Sequence, residues 1–447
     1  MERSQSTIFL KAHRCSNGRE IHYALARLHR DPGSSTAAII DMENNNNGPS
    51  TSTSSIIRAC WIFFYPMGPT RRLLSAFLSQ YAPHFECDGD VLFLCVNRPG
   101  KGATSSSVID ENETNIVTDE RRHISTSCED VRIILDYYNI RKASLFYMCA
   151  GSTFAYSFAS KYPDRTTGYI IGIASWILRS APHSTSFLCH GNNTIANVSE
   201  DGKENDHDTS HPPSSDCADI KTPQMHALLH RWAMAGYFGP KWLVSSLAGG
   251  IAGSMSGILG NAPPAWVARQ MKKELSDEEQ KMFDERYPDD DGVEFVGLLK
   301  WMHGDGIDDE TSVFVNEINH GTTSAHNASG ADASAAAAAA VVGNNKEGDA
   351  RDCAVCLSTQ EELGLIYRTT IPSQKQVLLW HGEVDKMISV RGAEYLEEML
   401  RKQGHHGDGD NHVTLTKIAR GTHQGTMFFV PRDAMEAINR ISRDVPL

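Results

Sequence analysis

The sequence predicts an α/β protein built on a mostly parallel sheet, and three observations support this fold class. Continuous apolar runs at 56–65, 90–102 and 167–178 are typical of strands that are buried on both faces. Helical periodicity, clearest at 127–140, separates such runs, and parallel strands require crossover helices of this kind. The alternation is interrupted over 180–373 and then resumes, which indicates a long insertion within the sheet.

Length, charge and cysteine usage limit the classes of protein that this chain can belong to. A chain of 447 residues with 40% hydrophobic and 22% charged residues can bury a large core as a globular protein. Its formal net charge of −13 argues against a nucleic-acid partner and against an anionic membrane surface. Ten scattered cysteines and an N-terminal stretch without a signal-peptide apolar region favour a reducing, cytoplasmic location.

One uncharged segment, 242–260, approaches the length of a membrane-spanning helix. Nine of its 19 residues are glycine or serine, which weakens the free energy of insertion into a bilayer. We therefore expect a buried or lid-lining segment here, and we expect no membrane span.

The N-terminal half of the chain defines its elements in a simple order. Residues 6–29 contain two apolar runs around the turn sequence CSNG, which predicts a β-hairpin. The polar tract 41–55 follows as a surface insert, and the first two buried strands come at 56–65 and 90–102. The serine cap, early acidic residues and spaced apolar residues of 127–140 then predict a helix.

The C-terminal part of the chain returns to the same alternation. Its order is strand (376–386), helix (390–403), strand and glycine-rich loop (412–425), and helix (431–443). Within the preceding insertion, 263–287 is the clearest amphipathic helical run.

The stretch KASLFYMCAGSTFAYSFASKYPDR, residues 142–165, predicts a strand, a tight turn and a helix, with Cys149 at the apex of the turn. A side chain at such an apex is held clear of the sheet. The first N–H groups of the following helix are free, and the helix dipole is positive there. This position exposes a nucleophile, lets the Ala150 N–H bind an oxyanion, and favours a thiolate.

This stretch resembles the nucleophile elbow of the α/β-hydrolase family, whose pattern is G-x-S-x-G between a strand and a helix. In that register Cys149 takes the serine position, Gly151 the final glycine, and Tyr147 the place of the first glycine. Dienelactone hydrolases and polyhydroxyalkanoate synthases are members of this fold family with a Cys-His-Asp triad.

Four further segments resemble the family in the expected order. FFYPMGPTRR (63–72) is similar to the loop that supplies the second oxyanion donor, here Met67, since Pro66 has no N–H. CVNRPGKGAT (95–104) resembles the segment D-R-P-G-x-G-x-S. LLWHGEVDKMIS places the triad acid at Asp385, and RGTHQGTMF places the base at His423.

The resemblance implies an α/β-hydrolase fold, with a mostly parallel central sheet flanked by helices and a helical cap between strands six and seven. The core then comprises 1–179 and 374–447, and the cap comprises 180–373 with low-complexity inserts at 183–221 and 322–352.

The implied function is hydrolysis of an ester, thioester or related acyl compound through a covalent acyl-enzyme. Cys149 is the expected nucleophile, His423 the base and Asp385 the acid that orients it, with the N–H groups of Met67 and Ala150 as the oxyanion hole. The expected partner is a small, hydrophobic acyl substrate. An acyltransferase and a non-catalytic ligand-binding protein remain alternatives, and the sequence does not define the oligomeric state.

Several residues have competing interpretations at this level. Cys149 could be a passive small residue, and Ser152 is a rival nucleophile within the predicted helix. Asp385 could cap the helix that begins near Val390, and His423 could be a surface residue.

Two other patterns predict no chemistry. The pair Cys353 and Cys356 forms a single C-x-x-C without further ligands at zinc-site spacing, and PGKG lacks the spacing of a phosphate-binding loop. We expect no metal and no cofactor, since the family's hydrolases need none, and we expect His381 to lie in a loop.

Overall fold

The computed structural model describes residues 9–30, 37–39, 57–86, 90–101, 104, 119–178, 263–288, 293–303, 348–356, 358, 360–365, 376–403 and 412–444. The strands are β1 (Phe9–Arg14), β2 (Glu20–Arg30), β3 (Ala37–Ile39), β4 (Ile57–Phe64), β5 (Asp90–Val96), β6 (Ala143–Met148), β7 (Thr166–Ile173), β8 (Gln376–Gly382) and β9 (His412–Ile418). The α-helices are α1 (Leu73–Tyr81), α2 (Asp119–Tyr137), α3 (Gly151–Lys161), α4 (Pro264–Glu274), α5 (Asp277–Arg286), α6 (Val293–His303), α7 (Gln360–Leu363), α8 (Val390–Gln403), α9 (His423–Phe428) and α10 (Arg432–Asp444).

All nine strands of the described residues form one sheet. Its order is β1-β2-β5-β4-β6-β7-β8-β9, and the short β3 pairs with β2. β2 runs antiparallel to β1 and to β5, whereas every pair from β5 through β9 is parallel. Leaving out β3, the strands follow the spatial order 1-2-4-3-5-6-7-8 with only the second reversed, which is the α/β-hydrolase arrangement. The predicted fold class and the N-terminal hairpin are confirmed.

Helices cover both faces of the sheet, which explains the continuous apolar runs. β5 and β6 are buried at every position. One apolar core joins the sheet to α2, α3 and α8, and a second joins the opposite face to α1 and α10. Successive side chains of a strand point to opposite faces of the sheet, and each face is covered by one of these two cores. A central strand of this sheet therefore needs apolar residues at all positions.

Most of the described residues between β7 and β8 are helical. The sequence predicted one helix over 263–287, and the structure has two. The run 263–287 is divided into α4 and α5 at Leu275 and Ser276. Ser276 caps α5: its hydroxyl accepts the N–H of Glu279, and the Glu279 carboxylate accepts the N–H of Ser276 at 2.9 Å. This reciprocal capping box is encoded by the sequence S-x-x-E and fixes the break.

A cluster of buried charges attaches the helical residues 348–356 to the loop that follows β5. Arg98 pairs with Asp352 at 2.5 Å, and His123 Nε2 lies 3.0 Å from the other Asp352 oxygen. Lys101 pairs with Asp349 and lies 3.8 Å from Asp352. Burial opposes ionisation of Asp352, yet Arg98 and His123 hold its pKa well below the usual value.

This cluster overlaps the end of the low-complexity insert predicted at 322–352. Residues 348–352 are helical, and both Asp349 and Asp352 are buried. The acidic residues Asp349 and Asp352, at the end of a polar stretch, therefore form ion pairs with the buried side chains of Lys101 and Arg98. The segment 242–260 and the inserts 41–55 and 183–221 lie outside the described residues, and no described helix is long and apolar enough to cross a membrane.

Removing one partner of the buried cluster should destabilise the protein strongly. Asp352→Asn leaves the fully buried Arg98 without its counter-ion, and we expect a loss of about 3–5 kcal/mol in the free energy of unfolding. Denaturant unfolding followed by circular dichroism measures this loss. As a matched control, Glu436→Gln removes the exposed Arg432–Glu436 pair and should change stability by less than about 1 kcal/mol. Equal stabilities of the two variants would contradict the assignment.

Candidate active site at the carboxyl ends of the parallel strands

Cys149 occupies a strained turn between β6 and α3. Its φ is +47°, in the left-handed region, which costs a non-glycine residue about 1–2 kcal/mol. The turn is held by three hydrogen bonds: Cys149 N–H donates to Ile173 O at 2.9 Å, and Cys149 O accepts the N–H groups of Ser152 at 3.0 Å and Trp176 at 3.2 Å. The fold thus fixes the cysteine in the elbow geometry that the sequence predicts.

Gly151 follows the apex and lets the start of α3 approach β4. A side chain at this position would overlap the carbonyl oxygen of Phe64 at the end of β4. The final glycine of the elbow pattern is therefore required by a close contact between two backbones.

Tyr147 stands where the family has its first elbow glycine, and the neighbouring strand makes room for it. Gly172 of β7 lies directly opposite Tyr147 in the parallel register, and a side chain at Gly172 would overlap the tyrosine ring. The Tyr147 hydroxyl shares hydrogen bonds with Ser175 at 2.8 Å and Tyr156 at 3.0 Å. The glycine that leaves space at this point therefore lies in the adjacent strand β7, and the turn can accommodate the tyrosine.

Asp385 lies three residues beyond the end of β8 and uses its two carboxylate oxygens for different purposes. Oδ1 accepts the N–H groups of Met387 and Ile388, both at 2.8 Å, and so fixes the turn before α8. Oδ2 accepts a hydrogen bond from His423 Nδ1 at 2.7 Å. The Asp385 side chain therefore makes both contacts that were considered for it, with the turn before α8 and with His423.

His423 is buried at the start of α9, rather than lying in an open loop after β9. Its Nε2 is buried without a hydrogen-bond partner among the described residues. Burial lowers the pKa of His423, but the Asp385 carboxylate and a Cys149 thiolate outweigh burial and raise this pKa to about 10. His423 thus has the Asp385 carboxylate on its Nδ1, and Cys149 is a second residue whose charge acts on its pKa.

Two backbone N–H groups that were predicted as oxyanion donors lie at the ends of neighbouring strands. Ala150 is the N-cap residue of α3, where the helix dipole is positive. Met67 lies in the turn after β4, the strand that pairs with β6. Within the part of the chain that the structure describes, no protein acceptor occupies the N–H of Ala150 or Met67. Both remain candidate donors.

The buried cations Arg98 and Lys101 hold the turn that contains Met67, a role that the sequence did not reveal. The Arg98 guanidinium donates to Tyr65 O, and its backbone N–H donates to the Tyr65 hydroxyl at 2.8 Å. Lys101 Nζ donates to Gly68 O at 3.3 Å. Carbonyl groups on both sides of Met67 are thereby fixed by the same cations that pair with the acidic helical residues 348–356.

Glu279 of α5 reaches the loop that carries His423. Its carboxylate accepts the Thr422 N–H at 2.9 Å and the Thr422 hydroxyl at 2.8 Å, while it also caps its own helix. Gly425 leaves room for this carboxylate, because a side chain there would overlap it. The sequence S-x-x-E at 276–279 could have predicted the helix cap. The contact of Glu279 with Thr422 could not be predicted from neighbouring residues, because Thr422 is distant in the chain.

Ser152 was considered as a rival nucleophile and His381 was expected in a loop. The Ser152 hydroxyl is buried in the first turn of α3 and donates to Trp176 O at 2.5 Å, which directs it away from the apex. His381 was expected in a loop, and this is wrong: it is a buried residue of β8 whose Nε2 bonds Ile388 O at 2.8 Å.

Comparisons with known proteins add the following. No protein-family model matches the chain, and no curated protein matches it. An esterase from Thermogutta terrifontis superimposes with a TM-score of 0.42 and 11% identity, covering 98% of this chain and 99% of that chain. An α/β-hydrolase fold protein from Nakamurella multipartita gives a TM-score of 0.44 and 10% identity over 97% and 99%. A 2-hydroxy-6-oxo-6-phenylhexa-2,4-dienoate hydrolase from Rhodococcus sp. strain RHA1 gives 0.43 and 11% over 98% and 100%.

The α/β-hydrolase fold of this chain therefore rests on its own strand order and on the positive φ of the residue after β6. At these identities the comparisons carry no statement about chemistry.

The fit of Tyr147 against Gly172 can be tested by filling the space. Gly172→Ala places a methyl group inside the tyrosine ring, so we expect it to cost about 1–3 kcal/mol in the free energy of unfolding. The matched control is Gly297→Ala in α6, where nothing lies within 4 Å of the new methyl group and helix propensity should leave stability unchanged or raise it. Thermal unfolding of both variants decides the point, and an unaffected Gly172→Ala would contradict it.

Proposed function

We propose that this protein hydrolyses an ester, thioester or related acyl compound through a Cys149–His423–Asp385 triad. The observation that carries the proposal is the hydrogen bond of 2.7 Å between Asp385 and His423 beyond the carboxyl ends of β8 and β9, next to a Cys149 close enough to help raise the pKa of the imidazole. Residues with a strained backbone conformation, such as Cys149, occur frequently at functional sites.

The raised pKa of His423 supports an imidazolium as its resting state at neutral pH. The Cys149 thiolate attacks the substrate carbonyl carbon, and the carbonyl π electrons move to the oxygen. As the tetrahedral intermediate collapses, the leaving alkoxide or thiolate takes the proton from His423 Nε2. The product of this half-reaction is a thioester between the acyl group and Cys149.

Water completes the cycle. Neutral His423 removes a proton from water, the resulting hydroxide attacks the thioester, and collapse of the second tetrahedral intermediate releases the acid and restores the thiolate. Asp385 holds the imidazole in one tautomer through Nδ1 throughout. The Ala150 and Met67 N–H groups are the proposed oxyanion donors, and each such donor is worth about 10²–10³-fold in kcat.

A hydrophobic acyl group suits the surroundings of the proposed site. An apolar cleft between α1, α5, α6 and α9 is lined in part by Met148, the residue before Cys149, and by Met427 of α9. Its open space of about 20 Å3 holds roughly one water molecule, so an acyl chain must displace side chains to enter. Methionine side chains are flexible enough to do so. We propose that the helices between β7 and β8 act as the cap over this cleft.

Substitution of the nucleophile tests the proposal directly. Cys149→Ala should lower kcat/KM for short-chain p-nitrophenyl esters and acyl thioesters by at least about 10³-fold, because the covalent route is lost. The matched control is Cys128→Ala, a buried cysteine of α2 that lies away from the turn, which should keep the wild-type rate. Equal rates for Cys149→Ala and the wild type would favour the non-catalytic alternative, and product transfer to an added alcohol or thiol in place of water would identify an acyltransferase.

The pH dependence of the reaction should report on His423. Its pKa of about 10 means that the imidazolium is present below this pH and is lost above it, so background-corrected kcat/KM should fall through about pH 10. Asp385→Asn removes the charge that raises this pKa but keeps an acceptor for the turn. The alkaline limb should then move about 1–3 pH units lower.

The control for this experiment is Asp433→Asn, an exposed carboxylate in the first turn of α10. It should leave the limb in place. An alkaline limb that stays near pH 10 in Asp385→Asn would show that another group controls it.

A further inference from the structure

A second cysteine packs beside the proposed nucleophile. Cys149 and Cys356 belong to one small buried cluster with Ala150 and Ile388, and both thiols are free. Cys356 lies at the end of the helical residues 348–356, which the buried charges of Asp349 and Asp352 attach to the sheet. The proximity is thus imposed by two anchored elements that are more than 200 residues apart in the chain.

Trp176 connects the backbones of the two cysteines. Its backbone N–H donates to Cys149 O at 3.2 Å, and its indole Nε1–H donates to Cys356 O at 3.0 Å. A single residue, whose side chain packs against the same cluster, therefore contacts the backbones of both cysteines. The other buried cysteines of the described residues lie elsewhere: Cys60 and Cys128 belong to the core with α2 and α3, and Cys95 belongs to the core with α1.

We propose that Cys149 and Cys356 form a peroxide-dependent modification site, in which Cys149 is oxidised and Cys356 closes a disulfide with it. The inference rests on the reactive cysteine of the proposed function and adds a resolving partner. It also gives a role to Cys356, the second cysteine of the C-x-x-C sequence at 353–356, which the hydrolytic proposal leaves unused.

The chemistry has two steps and needs hydrogen peroxide as the oxidant. The Cys149 thiolate displaces hydroxide from the peroxide, which forms a sulfenic acid and transfers two electrons from sulfur to oxygen; the hydroxide takes the proton of His423 and leaves as water. The Cys356 sulfur then attacks the sulfenic sulfur, and the sulfenic OH leaves with the Cys356 proton as a second water. In sum, two thiols and one peroxide give one disulfide and two water molecules.

The electrostatics of the pair suit this order of events. Burial raises the pKa of the Cys356 thiol well above its ordinary value, and charge on Cys353 and Cys149 raises it further. Cys356 is therefore protonated at neutral pH and does not compete as the nucleophile. Oxidation of Cys149 to the neutral sulfenic acid removes its charge and makes deprotonation of Cys356 easier.

Mass spectrometry of the intact, full-length protein provides a test that is independent of activity. After stoichiometric hydrogen peroxide, quenching with an alkylating agent and trypsin, the wild type should give one cross-linked pair of peptides, 143–161 with 352–368. Hydrolytic activity should fall at least tenfold in parallel and return after dithiothreitol. Cys149 recovered as free thiol, or oxidised without the cross-link, would overturn the inference.

Two variants assign the partner. Cys356→Ser should lose the cross-link at one equivalent of hydrogen peroxide. With a second equivalent, which oxidises the unresolved sulfenic acid to sulfinic acid on Cys149, it should not regain activity after dithiothreitol. Cys353→Ser, the matched control three residues earlier on the same helix, should keep both the cross-link and the recovery. A cross-link that survives Cys356→Ser and disappears in Cys353→Ser would overturn the assignment to Cys356.

The outcomes also separate this inference from the hydrolytic proposal. A cross-linked wild type in which Cys149→Ala leaves hydrolysis unchanged would retain the modification site and reject the triad. A protein whose hydrolysis requires Cys149 but which forms no cross-link would retain the triad and reject the modification site.

Discussion

The left-handed backbone of Cys149 is the constraint on which the rest of the site depends. Its cost of about 1–2 kcal/mol is small beside the hydrogen bonds and packing that hold it, and those restraints come from four neighbouring segments. Gly151 lets α3 approach β4, Gly172 makes room for Tyr147, and Ile173 accepts the Cys149 N–H. The sheet register brings these residues together, so the turn is a product of the whole parallel core.

Much of this arrangement was predictable from local sequence. Apolar runs and helical periodicity identified the strands and the order of the elements, because a strand buried on both faces has a distinctive composition. Cys149 was found by its place at the apex of a strand, turn and helix, whereas Asp385 and His423 were found by the resemblance of their segments to α/β-hydrolase motifs in the expected chain order.

What the sequence did not reveal depends on pairs that are distant in the chain. Gly172 is an ordinary strand glycine until its register partner is known to be Tyr147. Asp349 and Asp352 end a polar, alanine-rich stretch, and only the fold shows that they neutralise Arg98 and Lys101. Likewise the break between α4 and α5 was encoded by Ser276 and Glu279, but the amphipathic pattern continued across it and concealed it.

Glu279 serves two helices with one carboxylate, because it caps α5 and also binds Thr422, the N-cap residue of α9. The beginning of α5 and the segment that carries His423 are consequently one cooperative unit. Access to the site by separation of these two helices requires the first turn of α5 to lose its cap, so it is an event of local unfolding and not a rigid hinge movement. Its free energy, accessible through amide hydrogen exchange at the start of α5, sets how often the site is open to solvent.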